Sequence, residues 1–348
     1  MSGTKKKKTG FLYAKEVVVW VLLVAFFSGL IIFNKDRIFK KDKDTEKTSE
    51  AETEPGIFDE DWLNQSDSEP EETEPSETEP AEPTVEHTQA LAVAEGSGPL
   101  RVYFLDVGEG DAAILTLNGQ AMVIDGGDAE HAGVLVNWLA NLGIGRVDYM
   151  ISTHPHKDHV GGLPSVYSQA AVGRLYTPVT EYAENAEFSR LMTLAHENGT
   201  EVRVPQAGET FDFAGAEVRF LGPTRFDPDE MNNNSLVVRV RFGDNSFLFT
   251  GDAEVNEEAD ILSAGYDVHA EILKVSHHGS EYATSVAFAN AVGAKECIIS
   301  VGANEYGHPS ANVLQRLIDA GGMVYETMVS GTVTVTASGT GYTMNFER

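Results

Sequence analysis

Cysteine is nearly absent: Cys297 stands alone in 348 residues. No intrachain disulfide framework and no cysteine-rich zinc knuckle can form, so a disulfide-stapled miniprotein is excluded. Positive charge is also scarce, with 25 Lys and Arg against 54 Asp and Glu, a formal net charge of -29. That balance rules out a generally basic protein that coats nucleic acid. Apolar residues are not short, at 42% with 9% aromatics, which is enough for a real core and excludes disorder throughout. Long apolar runs are limited to one, so a multi-span channel is not expected.

The charge falls into three regions. Residues 1–33 carry five Lys and one Glu; within them, a short basic tail, 1–16, precedes the uncharged run 17–33, VVVWVLLVAFFSGLIIF. At ~1.5 Å per residue this run approaches a ~30 Å hydrocarbon core with help from flanking residues. It continues as Ile31-Ile32-Phe33-Asn34-Lys35, without a small-residue cleavage site or a cysteine for lipid. The expectation is an uncleaved single-pass cell-membrane anchor. Lysines flank both sides of the run, and the short tail on one side against a full domain on the other places the domain extracytoplasmic. Residues 34–98 hold 20 acidic and six basic residues, and Thr-Glu-Pro recurs at Thr53, Thr73 and Thr78. Proline, like-charge repulsion and few apolar side chains make this a disordered acidic linker.

From 99 to 348 the pattern becomes globular. Short β-like runs at Val102–Val107, Ala113–Leu117, Ala121–Ile124 and Val147–Ser152 surround a helical stretch at His131–Leu142. Strands at Glu217–Leu221, Leu236–Phe242 and Ser246–Thr250 lead to a helix near Glu254–Ala264. Further strands at Glu271–Val275 and Cys297–Val301 are each followed by a helix. Two β-rich halves with interspersed helices predict an α/β domain of stacked sheets covered by helices on both outer faces.

Chemistry concentrates at strand ends. Thr153-His154-Pro155-His156-Lys157-Asp158-His159-Val160-Gly161-Gly162 follows a buried strand and packs four ligand-type side chains into six residues. Imidazole and carboxylate suit zinc, manganese or iron, and alternate residues of a tight loop can face two adjacent ions. The glycines are expected to let the backbone turn into the next helix. Asp252 ends Phe249-Thr250-Gly251-Asp252, His277 and His278 follow Leu273-Lys274-Val275-Ser276, and His308 lies in Tyr306-Gly307-His308-Pro309-Ser310. Alone, an Asp after a strand is more often a turn residue than a ligand. Beside the histidine cluster, it becomes a ligand candidate.

These segments, with Val107-Gly108-Glu109-Gly110-Asp111-Ala112, Ile124-Asp125-Gly126-Gly127 and Asn232-Asn233-Asn234-Ser235-Leu236-Val237, run in order through nearly the whole domain. The domain resembles the metallo-β-lactamase superfamily and, within it, the extracytoplasmic ComEC-like metallo-hydrolases of DNA uptake. Phosphorylcholine esterases of Gram-positive walls share a similar layout. The resemblance implies a four-layer αββα sandwich with two divalent metal ions, zinc or manganese, at one edge. It assigns His154 and His156 to one ion, Asp158 and His159 to the other, and Asp252 to a bridge. One of His277 and His278 completes the second ion; His278 is preferred, with His277 toward substrate. Asp111, Asp125 and Asn234 are expected to support the ligands from behind. Many members carry another histidine between the cluster and the bridging Asp. Here only His196 lies there, in a helical stretch at Phe188–Asn198, and Asn232–Asn234 take its place.

The implied activity is a metal-dependent hydrolase, a phosphodiesterase or nuclease, in which Asp158 orients the attacking metal-activated hydroxide. His308 stabilises developing charge or protonates the leaving group. Its partner is then a phosphodiester, in nucleic acid or in a cell-wall polymer such as a decorated teichoic acid; a non-catalytic metal-binding module is the remaining alternative. Residues 99–348 hold 33 acidic and 14 basic residues, which opposes tight nonspecific binding to DNA unless Arg174, Arg203, Arg225, Arg239 and Arg241 form a basic rim.

Overall fold

The computed structural model describes residues 97–348. The expected tail 1–16, the anchor 17–33 and all but the end of the linker 34–98 lie outside the described residues. Among the described residues, no helix is long and apolar enough to cross a membrane.

Two β-sheets form the centre. The first half of the domain supplies β1 (Leu100–Phe104), β2 (Ala112–Leu117), β3 (Gln120–Gly126), β4 (Arg146–Ile151), β5 (Ala171–Tyr176) and β6 (Glu201–Arg203). Between them lie α1 (Ala132–Asn141), α2 (Lys157–Val160), α3 (Leu163–Val166) and α4 (Ala186–Glu197). The second half supplies β7 (Thr210–Phe213), β8 (Ala216–Gly222), β9 (Val237–Phe242), β10 (Asn245–Phe249), β11 (Ile272–Lys274), β12 (Glu296–Ile299) and β13 (Met323–Glu326). Its helices are α5 (Val255–Ser263), α6 (Val286–Val292), α7 (Ala311–Asp319) and the single turn α8 (Thr327–Ser330), and 3₁₀ turns occupy Met231–Asn234 and Ser276–Gly279. The chain ends in a hairpin, β14 (Val333–Ala337) and β15 (Tyr342–Phe346). It returns to the first sheet, whose order is β15-β14-β1-β2-β3-β4-β5-β6; the second runs β13-β12-β11-β10-β9-β8-β7.

Each sheet begins as an antiparallel meander and becomes parallel where helical crossovers intervene, from β3 to β6 and from β10 to β13. Alternation in the strands sorts side chains between layers. Leu100, Val102 and Phe104 of β1 join Val238, Val240, Phe247 and Phe249 in the core between the sheets. Tyr103, Ile114 and Val123 face the other way and pack with Leu135, Leu139, Phe188 and Leu191 of α1 and α4. Leu248, Leu273 and Ile299 do the same with Ile261, Phe288, Val313 and Leu317 of α5 to α7. The four layers follow, and the ring of Phe249 stacks across the inter-sheet core on Phe104, centroids 5.6 Å apart.

This topology positions a site. The ends of β3, β4, β10, β11 and β12 carry the segments with Asp125, His154–His159, Asp252, His277–His278 and His308 to one edge. Ligand sites outside the carboxyl ends of parallel strands are general in open α/β sheets. The paired glycines act differently from the expectation. Gly161 and Gly162 have ordinary right-handed backbone (φ -55° and -83°), so no left-handed turn demands them. Space does: a Cβ on Gly162 would overlap the Gly126 carbonyl oxygen, where the helix start docks on β3. The Gly162 amide then donates to Gly127 O at 3.0 Å.

Gly162→Ala should therefore lower the free energy of unfolding by on the order of 1–3 kcal/mol in urea titrations. Gly133→Ala is the contrast. Gly133 sits inside α1, and a Cβ there meets nothing within 4 Å, so the substitution should be neutral or stabilising by about 0.5–1 kcal/mol.

Candidate metal centre

Asp158, His159, Asp252 and His278 each offer one ligand atom, and these atoms lie within 4.8 Å of one another. His159 Nε2 is 3.1 Å from Asp252 Oδ1 and 3.7 Å from Asp158 Oδ2. His278 Nε2 is 3.2 Å from Asp158 Oδ2 and 3.6 Å from Asp252 Oδ1. His159 Nε2 and Asp252 Oδ1 are buried without any hydrogen-bond partner. A buried, unpartnered acceptor pair is costly unless something binds it. A divalent cation fits this donor set of two imidazoles and two carboxylates.

The opposite ring nitrogens explain the orientation. His159 Nδ1 lies 2.9 Å from Asp125 Oδ2, and His278 Nδ1 lies 2.8 Å from the Ser300 carbonyl. With Nδ1–H donating to an oxygen, each Nε2 lone pair is left for a cation, the usual support of a metal-bound histidine. Asp125 is fixed in turn, accepting from Thr153 N at 2.8 Å and Thr153 Oγ1 at 2.7 Å. Behind the other side, Asp111 Oδ2 meets the ammonium of Lys274 at 2.6 Å, and both residues are buried. Asp111 Oδ1 is 3.3 Å from His278 Nδ1.

Local backbone is bent to meet these demands. His277 and His278 have φ of 49° and 51°, left-handed values that cost non-glycine residues energy and concentrate at functional sites. The turn is stitched to the neighbouring strand end: the His277 amide donates to Gly251 O at 3.1 Å, and Ser276 Oγ donates to Ala253 O at 2.5 Å. Asp252 is thereby held beside His278.

The remaining expected residues take graded places. His154 is fully buried, its Nε2 3.8 Å from Asp252 Oδ2 and 3.0 Å from His156 Nδ1. His154 thus lies beside the other oxygen of Asp252 and His156 beside His154, both outside the four-residue group. His277 Nε2 also lies 3.8 Å from Asp252 Oδ2. His308 sits further out, its ring centroid 5.5 Å from that of His277, with Nδ1 3.5 Å from Glu109 Oε1. Asn234 turns away, accepting from Asp227 N and donating to Asp227 O and Glu230 O, so it holds its own loop together. Ser235 reaches the site instead, with Oγ 3.4 Å from His154 Nδ1 and accepting the Asp252 amide at 3.0 Å. His196 is exposed on α4 and takes no part.

Electrostatics reflect crowded acid. Burial works against the charged form of every group here. Asp252 nonetheless stays well below the usual carboxylate range because His159 and His278 outweigh that cost. Against burial, Asp252 and its neighbouring carboxylates hold His159 and His278 well above the usual imidazole range. Burial, with His159 nearby, pushes His154 well below it. Protons on these imidazoles and a metal cation therefore compete for the same carboxylates.

The cluster opens into a cavity of about 350 Å³, lined by Asp158, Asp252, His156, His277, His278 and His308 and rimmed by Glu109, Asp128, Lys157, Asn232 and Tyr306. Glu109 and Tyr306 carry no sign of a role within their motifs, and Lys274 looks in sequence like a strand residue. Their burial or exposure depends on which loops meet, which spacing does not reveal. The suggested basic rim does not form. Arg174, Arg203, Arg225 and Arg239 pair with Glu201, Glu209, Asp260 and Asp267, Arg241 is buried on β9, and none of the five lines the cavity.

A family model described as the metallo-beta-lactamase superfamily matches residues 105–302. ComE operon protein 3 of Bacillus subtilis is 29% identical over 251 residues, 67% of this chain and 32% of that protein. Competence protein ComA of Neisseria gonorrhoeae is 27% identical over 243 residues, covering 69% and 32%. Recombination protein 2 of Haemophilus influenzae is 30% identical over 239 residues, covering 66% and 28%. The chain thus spans about a third of the length of the curated relatives it matches. With an edge cluster of histidines and aspartates on two stacked sheets, the chain belongs to the metallo-β-lactamase superfamily, as a metal-dependent hydrolase related to competence proteins.

Proposed function

We propose that the chain is a phosphodiesterase acting on nucleic acid, anchored through residues 17–33 with its hydrolase domain extracytoplasmic. The observation that carries the reading is the group Asp158, His159, Asp252 and His278, with its buried unpartnered nitrogen and oxygen, of which Asp158, Asp252 and His278 line the cavity. The names of the competence and recombination relatives support nucleic acid as the source of the phosphodiester.

One divalent ion would be held by Asp158, His159, Asp252 and His278. A second would be held by His154, His156 and the outer oxygen of Asp252. Bound there, such ions supply a nucleophilic water at neutral pH and neutralise charge on a phosphoryl oxygen. The chain's own groups do the rest. Asp158, part-exposed at the cavity, orients the attacking water. His308 faces the cavity, and burial, then His277 and His278, lower its proton affinity. It acts as a hydrogen-bond donor to the charge that develops. Lys157 is the single Lys or Arg among the described residues that line the cavity, and it meets the non-reacting phosphate oxygens. Asn232 lines the cavity with its amide oxygen buried and unpartnered, where the histidine of other members is missing. With so little positive charge, substrate is held at the reacting phosphate rather than along a phosphate track.

The test is hydrolysis of bis-p-nitrophenyl phosphate and of single-stranded DNA by the full chain in detergent with Mn²⁺ or Zn²⁺. Metal-dependent turnover is expected on both, and Asp252→Asn should remove it; turnover that survives chelation in the wild type refutes the reading. Asp125→Asn keeps all ligands but disturbs the His159 support, and should weaken metal affinity by about 10–100-fold in competition with a chromophoric chelator. Acid should act through His159 and His278. Because their carboxylate partners raise the proton affinity of both, a cation must displace those protons. Metal affinity should therefore fall as the pH is lowered, and titration calorimetry in two buffers of different ionisation enthalpy should show proton release on binding.

A further inference from the structure

Tyr306 is 73% exposed, the most exposed of the large apolar and aromatic side chains among the described residues, and it lines the cavity. An aromatic ring held in water at a cavity mouth offers a flat surface on which a ligand ring can stack. Its loop is built to present it. Asn304 Oδ1 accepts the backbone amides of Tyr306, Gly307 and His308 at 3.1, 3.0 and 3.0 Å, while Asn304 Nδ2 donates to Gly302 O and His308 O at 3.0 and 2.8 Å. Five hydrogen bonds from one side chain fix the segment, and the ring lies on His308 at 5.7 Å between centroids, with planes 29° apart. One face of the tyrosine is thus backed by an imidazole, and its exposure leaves ring surface open to solvent. His308 lines the same cavity as Asp158, Asp252 and His278, so a phosphate bound over those groups would have the Tyr306 ring beside its neighbouring nucleoside.

We infer that Tyr306 is a stacking platform for the nucleobase adjacent to the scissile phosphate, which makes single-stranded or frayed nucleic acid the preferred substrate. The inference rests on the phosphodiesterase reading above and names its substrate class. A duplex keeps its bases stacked on one another, whereas an unpaired base has a free face for a protein aromatic ring. Stacking also supplies affinity without basic residues, which suits a cavity bordered by Lys157 alone against Glu109, Asp128, Asp158 and Asp252.

The experiment compares the full chain with Tyr306→Leu and Tyr306→Trp on a single-stranded oligonucleotide and on the same strand carrying an abasic residue beside the cleaved linkage. The readout is the ratio of kcat/KM on the base-bearing strand to that on the abasic strand. The ratio should fall about tenfold in Tyr306→Leu and be retained in Tyr306→Trp. If Tyr306→Leu slows both strands equally, the ring merely positions His308 and the inference is overturned while the phosphodiesterase reading stands. If the wild type hydrolyses bis-p-nitrophenyl phosphate and glycerophosphocholine but no oligonucleotide, nucleic acid is the wrong source and both fall. Faster cleavage of duplex than of single strand overturns the stacking inference alone.

Discussion

Buried negative charge is the constraint around which this domain is organised. Asp111, Asp125 and Asp252 are almost wholly withdrawn from water and Asp158 partly so, and one buried ammonium, Lys274, is packed against Asp111. Removing carboxylates from water is expensive unless opposite charge or well-placed donors replace the solvent. Lys274 and the Thr153 donors serve Asp111 and Asp125, the pair behind the histidines. The front pair, Asp158 and Asp252, has only imidazole for company. A site with this composition is incomplete without added positive charge, and the neighbouring histidines accept protons to make up part of it.

The cost of holding the groups together appears in the backbone. Asp125 and the adjacent pair His277 and His278 adopt positive φ, at strand ends from two different parts of the chain. Such conformations persist only when surrounding structure over-determines them. Here the over-determination is visible: the turn around His278 is hydrogen-bonded to the turn around Asp252, and the ring of His278 to Ser300 at the end of the next strand. Behind Asp252, the Phe104–Phe249 stack ties the two sheets together immediately below the turn. The hydrophobic core thus sets the distance between ligands that come from both halves of the domain.

Much of this was legible from residues alone, for identifiable reasons. Alternating apolar strands and the histidine–aspartate cluster are local signals, so the two-sheet architecture and the ligand-bearing segments could be read directly. His278 stands in the four-residue group and His277 beside it, a difference that the sequence, with two identical side chains in a row, does not display. What could not be read depended on which loops meet. Glu109 faces His308 across about two hundred positions, Lys274 looks like any strand lysine until its burial is seen, and Asn234 proved to brace its own loop rather than the ligands. Four of the five arginines expected to form a basic rim, Arg174, Arg203, Arg225 and Arg239, are paired with acidic residues, an outcome invisible in a charge count.

The direction of β1 has a spatial consequence. Leu100 pairs with Ala337 at one end of the first sheet, and the strand then runs toward the loop that carries Asp111. The polypeptide therefore enters the domain about 17 Å from the catalytic edge, at ~3.4 Å per strand residue, on the far side of the sheet ends that hold the histidines. Chain entry and cavity thus lie at opposite ends of the strands.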